Sequence, residues 1–335
     1  MKQRQLGPFT VSAIGLGCMN LSHAYGAPVS SEQGGKVLLA ALDAGVTLFD
    51  TAALYGFGGN ETLVGKVLKS RRHEFTLASK CGMQGVDVNG DGKLMRVIDG
   101  RPATIQKTCE DALRRLQTDV IDLYYLHRWD KQVPIEESVG AMGDLVRQGK
   151  IRSIGLSEVS ATTLRKAHAE HPIAAVQTEY SLWTRNPEIA VLQACQDIGA
   201  AFVAFSPVAR GFLCGAPIDV NQLDAKDIRR SMPRFAPEHA ASNHKLLAPY
   251  QALADQVGCT PAQLAIAWLL HKAPNIIPIP GTTSLAHLKD DLAADQISLS
   301  PETLAALEDL INERTVSGSR YNAQANSEVD TEVFA

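Results

Sequence analysis

Four side chains have types and spacing that could do chemistry together. Asp50 and Tyr55 share the segment Asp50-Thr51-Ala52-Ala53-Leu54-Tyr55-Gly56, while Lys80 and His127 each follow an apolar run further along the chain. A tyrosine hydroxyl, with an ordinary pKa near 10, is a poor acid at neutral pH unless a nearby cation stabilises its phenolate. Lys80 is such a cation, and Asp50 is an anchor that would hold the ammonium by a charge-assisted hydrogen bond. His127 would orient the substrate oxygen and share the proton relay. The set suits reduction of a carbonyl, giving a proton to its oxygen while a hydride arrives from elsewhere. Taken singly, each residue reads more simply as structural, a packed ring or a salt bridge. The combination carries the argument.

Four residues so far apart in the chain need a fold that gathers them. Eight short apolar or β-branched runs, at 14–17, 46–49, 75–78, 120–126, 151–156, 174–177, 201–205 and 276–279, are each followed by helical sequence. Continuous apolar runs suit parallel strands buried on both faces. Eight strand-helix units predict an α/β (β/α)8 TIM barrel, in which the active site is built where the strands end. Asp50, Lys80 and His127 stand at the ends of the second, third and fourth runs, and Trp129 follows close behind. A Gly7-Pro8 turn within 4–11 predicts an N-terminal β-hairpin plugging the barrel floor. Helix starts are marked by Thr260-Pro261-Ala262-Gln263 and Ser300-Pro301-Glu302. The stripe Leu304, Leu307, Leu310 and Ile311 predicts an extra C-terminal helix. No linker-like shift in composition divides the chain, so one domain is expected over 1–335, with a polar tail at 315–335. Two long connections, 81–103 and 207–242, are read as functional loops without secondary structure of their own.

The later strand ends read as a cofactor cradle. Ser157 and Gln177 offer the donor and acceptor atoms that a carboxamide needs, and Phe205 offers a flat face for a nicotinamide ring. Gly281-Thr282 precedes helical sequence, where backbone N–H groups could meet a phosphate. There is no GxGxxG after a strand, so a Rossmann dinucleotide site is not supported. The loop Asp87-Val88-Asn89-Gly90-Asp91-Gly92 resembles the front half of a calcium loop, but Ile98 stands where a bidentate glutamate is needed, so a turn is the expected reading and no metal is assigned.

With 32 Lys and Arg against 36 Asp and Glu, the net charge of -4 argues against a nucleic-acid partner. No uninterrupted apolar run is long enough to cross a membrane and the first residues lack a signal-peptide pattern, so a cytoplasmic protein is expected. The 6 cysteines are far apart with no CxxC pair and are expected to be mostly reduced core residues.

Along nearly its whole length the chain resembles the aldo-keto reductases. The resemblance rests on Ile14-Gly15-Leu16-Gly17-Cys18-Met19, Leu48-Phe49-Asp50-Thr51-Ala52-Ala53-Leu54-Tyr55-Gly56, Leu126-His127-Arg128, Ile154-Gly155-Leu156-Ser157, Phe205-Ser206-Pro207 and Ile279-Pro280-Gly281-Thr282. It implies a barrel that is monomeric or a loose homo-oligomer and binds NADPH, with NADH possible. It makes Tyr55 the general acid, Lys80 and Asp50 its tuning groups, and His127 the residue that positions the carbonyl. Cofactor contacts are implied for Gly17, Cys18, Met19, Asp50, Ser157, Gln177, Phe205, Ser206, Pro207, Val208 and Gly211. Those implied past the eighth strand are Gly281, Thr282, Thr283, Ser284, His287 and Asp291. Met19, Leu21, Tyr55, His127 and Trp129, together with Trp183 and Phe212, are expected around a small carbonyl substrate. Two departures stand out. Glu158 replaces the asparagine that relatives often carry after the serine, and Thr283-Ser284 replace the Lys or Arg that grips a 2′-phosphate. His287, Lys289, Arg210, Arg229, Arg230 and Arg234 are the candidate substitutes. The same sequence is compatible with a non-catalytic redox-sensing subunit, or with an enzyme running as an alcohol, sugar or pyridoxine dehydrogenase.

Overall fold

The computed structural model describes residues 1–22 and 24–334. Its centre is a sheet of eight strands, each parallel to the next in chain order. These are β1 (Leu16–Gly17), β2 (Leu48–Asp50), β3 (Thr76–Cys81), β4 (Ile121–Leu126), β5 (Ile151–Ser157), β6 (Ile173–Glu179), β7 (Ala201–Phe205) and β8 (Ile276–Pro278). The N–H of Gly15 donates to Pro278 O at 3.0 Å and that of Gly17 to Pro280 O at 3.0 Å, which joins the first strand to the last and closes the ring. Glycine is required at this seam because a Cβ on Gly17 would lie 2.8 Å from the carbonyl oxygen of Ile279.

Outside the ring run α1 (Ser31–Asp43), α2 (Gly59–Leu68), α3 (Pro102–Leu116), α4 (Ile135–Arg147), α5 (Ala161–Glu170) and α6 (Val191–Asp197). After β7 come α7 (Pro237–His244), α8 (Leu247–Val257) and α9 (Pro261–Lys272), and after β8 come α10 (Leu285–Ala293), α11 (Pro301–Leu310) and α12 (Ala323–Ser327). The predicted capping box at Thr260 and Gln263 is present in both directions. In α11 the apolar stripe buries Leu307 completely, with Leu304 and Leu310 partly covered. This is the surplus helix that the spacing predicts.

The hairpin Gln3–Leu6 with Phe9–Ser12 closes the floor. Its Leu6 and Val11 pack with Leu48, Ala78, Leu123, Tyr125, Val203 and Ile277 inside the barrel. Gly7 turns it at φ +53°, and a Cβ there would meet Ala174 Cβ at 2.6 Å. With the floor filled, the open end is the one where the strands end.

Three expectations need correction. The connection 207–242 is not structureless, because it carries four short 3₁₀ turns and the first residues of α7. The connection 81–103 is not structureless: Met83–Val86 pairs with Met95–Ile98 as a second hairpin, whose short, largely half-buried strands lack the apolar alternation that would mark them. The carboxylate of Asp87 at its tip accepts the N–H groups of Asp91 at 3.1 Å and Gly92 at 2.9 Å, so it is engaged in holding the turn. The strand β3 also runs further than expected and contains Lys80 within it, buried along its whole length. A charged residue inside a strand is tolerated there because its partner stands on the next strand.

Candidate active site

Asp50 is the last residue of β2 and Lys80 lies beside it in β3, where the parallel register sets Asp50 against Ala78. The ammonium of Lys80 donates to Asp50 Oδ1 and, at 2.9 Å, to the carbonyl oxygen of Thr51. Its third partner is the hydroxyl of Tyr55, 3.3 Å away. Tyr55 opens the short, kinked 3₁₀ segment Tyr55–Gly58 that follows β2, in which Gly56 and Phe57 take left-handed backbone angles. His127 follows β4, and its ring meets the Tyr55 ring edge to face at 5.7 Å between centroids. The four expected residues therefore converge on one point. Lys80 is wholly buried beneath the others and meets the opening through its partners Tyr55 and Asp50.

Burial sets the baseline for both titrating groups. It pushes the Tyr55 phenol above its ordinary range; Lys80 pulls the other way without cancelling the effect. Burial also works against the Lys80 ammonium, but Asp50 and Tyr55 outweigh it and raise its pKa. In the resting site burial therefore outweighs the cation. At neutral pH the site holds a protonated hydroxyl beside a firmly charged ammonium, and the cation lowers the cost of phenolate formation when the proton leaves.

The pair opens into a cavity of about 920 Å³. Met19, Tyr55, His127, Ser157, Gln177 and Phe205 line one part of it, with Asp50 and Gly17. Ser206, Pro207, Val208 and Gly211 of the loop after β7 continue the wall, and Gly281, Thr282, Thr283, His287 and Asp291 line the end near α10. Gln177 Nε2 donates to Asp50 Oδ2 at 2.8 Å, which fixes the amide and leaves its oxygen as an acceptor.

Seven expected residues do not line the cavity. Cys18 is fully buried behind the strand, with its N–H on Asp50 O. Lys80 is covered as described. Ser284 caps α10, its hydroxyl accepting the N–H of His287. Trp129 packs against the outer core and its indole N–H donates to Val133 O at 2.9 Å. Leu21, Trp183 and Phe212 are likewise core residues, the last two stacked at 4.1 Å.

The charged candidates sort themselves by partner. Arg210 pairs with Glu179 at 2.7 Å, and Arg229 grips Asp227 through Nε at 2.9 Å and Nη2 at 2.7 Å. Arg230 donates to the Val220 carbonyl, and Arg234 is held by Trp183 O and Thr184. Lys289 is on the exposed face of α10, while His287 lines the cavity.

Sequence reasoning allows the polar tail to close over the pocket or to stay loose, but misses the residues that anchor it. Arg320 reaches the carboxylate of Glu158 and, at 3.1 Å, that of Glu179, all within a buried group completed by Arg210 and Tyr321. Burial works against the Glu179 carboxylate, but Arg210 and Arg320 outweigh it and bring its pKa down to about 2. Beyond this anchor Asp330 accepts from Ser160 N and Oγ, and Glu332 from Ala161 N. Tyr321, Asn322, Gln324, Ala325 and Glu328 then form part of the cavity wall. Glu158 is thus drawn toward the tail, the physical reason it departs from the family's asparagine. The signal was available as two acids at strand ends and an arginine in a polar tail, but nothing local connects them.

Residues 13–312 match the model of the aldo/keto reductase family. The chain is 40% identical over 329 residues to a probable aldo-keto reductase 1 of Glycine max, covering 96% of this chain and 93% of that protein. Among solved structures it resembles the glycerol dehydrogenase of Gluconobacter oxydans, with a TM-score of 0.84 at 28% identity over 92% of this chain and 94% of that one. It also resembles an aldo/keto reductase of Klebsiella pneumoniae in complex with NADP and acetate, with a TM-score of 0.71 at 28% identity over 98% and 99% of the two chains. With a barrel closed at Gly15 and Gly17, a strand-end cluster at its open rim and these likenesses, the chain belongs to the aldo/keto reductase family of oxidoreductases.

Proposed function

We propose that this protein reduces aldehydes or ketones to alcohols, reversibly, with NADPH as hydride source and Tyr55 as proton donor. The single observation that supports it best is the Lys80 ammonium held between the carboxylate of Asp50 and the hydroxyl of Tyr55 beside a cavity of dinucleotide-compatible size.

The cavity wall fits a nicotinamide dinucleotide. Ser157 and the amide of Gln177 suit a carboxamide, the half-buried ring of Phe205 suits a nicotinamide face, and the start of α10 suits a phosphate. When bound, the reduced nicotinamide supplies a hydride to the carbonyl carbon. The chain's own residues do the rest. His127 and Tyr55 hold the carbonyl oxygen, Tyr55 gives it the hydroxyl proton, and Lys80 stabilises the phenolate left behind until water returns a proton. In the opposite direction a phenolate at Tyr55 takes the alcohol proton, so oxidation is favoured by high pH. That the Klebsiella relative was solved with NADP, together with the family membership, supports the choice of cofactor.

A panel of carbonyl compounds followed at the cofactor absorbance, with NADPH and NADH in parallel, tests the reading. Turnover of a simple aldehyde such as 4-nitrobenzaldehyde supports it. Tight cofactor binding without turnover of any carbonyl would favour a sensing subunit instead.

A further inference from the structure

Four arginines line the cavity: Arg96, Arg128, Arg210 and Arg229. Three are ion-paired, Arg96 with Glu328, Arg210 with Glu179 and Arg229 with Asp227. Arg128 differs. Its Nη1 donates to the carbonyl oxygen of its neighbour His127 at 2.7 Å and to Ser157 Oγ at 3.3 Å, both neutral acceptors. No carboxylate among the described residues lies within ion-pair distance of it.

The position matters as much as the missing counter-charge. Arg128 follows His127 directly, is half-buried, and faces the same opening as Tyr55. The part of the cavity that suits a dinucleotide phosphate, around Thr282, Thr283 and His287, lies past β8 at the start of α10. A partly desolvated guanidinium is a strong recognition element for a carboxylate, which it meets with two parallel N–H donors. The same cavity is lined by Met19, Leu54 and Met83, apolar side chains available for a hydrocarbon body.

We propose that Arg128 recognises an anionic group on the substrate, so that this site is built for aldehydes or ketones bearing a carboxylate. This rests on the reductase reading above and names the substrate class for the same site. Arg128 acts here as a specificity-determining residue, and the proton still comes from Tyr55.

The test compares 4-carboxybenzaldehyde with benzaldehyde, whose carbonyls differ little in intrinsic reactivity, in the native protein and in Arg128→Gln, Arg128→Ala and Arg128→Lys. The native protein is expected to favour the carboxylate by about tenfold or more in kcat/KM, the scale of one charge-assisted hydrogen-bonded pair. Arg128→Gln and Arg128→Ala are expected to erase that ratio, chiefly through KM, with Arg128→Lys in between and the NADPH Kd little changed. Equal use of the two aldehydes by the native protein would overturn the proposal, as would a ratio that survives in Arg128→Gln. NADPH binding that weakens while the ratio holds would assign the arginine to a cofactor phosphate, which also overturns it. Benzoate binding by titration calorimetry separates this proposal from the reductase reading. If neither aldehyde is turned over, the reductase reading fails. Benzoate affinity that drops about tenfold in Arg128→Gln still supports the anion site, and affinity that is absent or unchanged rejects it.

Discussion

One carboxylate, that of Asp50, holds both the Lys80 ammonium through Oδ1 and the Gln177 amide through Oδ2, the latter at 2.8 Å. The proton-donating side of the site and its amide-binding side are therefore one network rather than two neighbours. Asp50→Asn keeps the shape but removes the charge from both bonds. It is expected to lower kcat for carbonyl reduction and to weaken NADPH binding together, each by about tenfold to a hundredfold, the scale of a charge-assisted hydrogen bond. Cofactor fluorescence titration and steady-state rates on one preparation check this. A loss in kcat with an unchanged Kd would separate the two halves.

The C-terminal segment is expected to be a structural part of the cavity. Arg320→Met leaves the buried carboxylate of Glu179 with Arg210 and takes from that of Glu158 its ion-pair partner. Breaking a buried pair from one side costs about 3–5 kcal/mol, and here the loss is taken first by the tail that Arg320 tethers. Amide exchange across 322–334 is expected to rise sharply in the variant, and cleavage by protease to appear there before the barrel unfolds. Exchange that stays at the native level would show the tail to be held by Asp330 and Glu332 alone.

Asp291 gives a pH signature. Burial, with a smaller push from Asp290, raises its carboxyl from 3.8 in the unfolded chain to about 7 in the cavity wall. A raised carboxyl pKa means that the folded state favours the protonated form. That contribution is whole below the unfolded value and is lost as pH rises through about 7. Asp291→Asn, neutral throughout, is thus expected to gain thermal midpoint over the native protein progressively between pH 4 and pH 8. At about 2 °C per kcal/mol for a large domain, the gain reads as several degrees. A difference that does not change with pH would mean that Asp291 titrates normally.

How much of this was legible in the sequence depends on the distance over which the signal acts. The eight strands were visible because most are short apolar or β-branched runs followed by helical sequence, and the caps at Thr260 and Ser300 because a capping motif lies within one turn. The site cluster was visible because a barrel delivers successive strand ends to one rim, so Asp50, Lys80 and His127 needed no contact prediction. The hairpin over 83–98 was missed because its strands are short, mostly half-buried and carry no clear alternation. Trp129 was misplaced because a large aromatic two residues past a strand end can face the opening or the outer core, and its bond to Val133 O turned it outward. The Arg320 anchor joins residues 141 and 162 apart in sequence, a relation that charge type alone does not specify.

Cofactor choice follows from the α10 end of the cavity, where His287 and the helix start face the opening and Asp290 is engaged by Thr260 and Gln263. NADPH is expected to give the higher kcat/KM. A clear advantage for NADH would contradict that expectation and assign this end to an unphosphorylated ribose.

The most direct test of the account is Tyr55→Phe, read as the single-turnover rate of NADPH oxidation with a reactive aldehyde beside the Kd for NADPH. Loss of a positioned proton donor is expected to slow the hydride step by about a hundredfold to ten-thousandfold, with cofactor affinity nearly as in the native protein. A variant that oxidises NADPH at the native rate would show that the hydroxyl beside Lys80 is not the proton source.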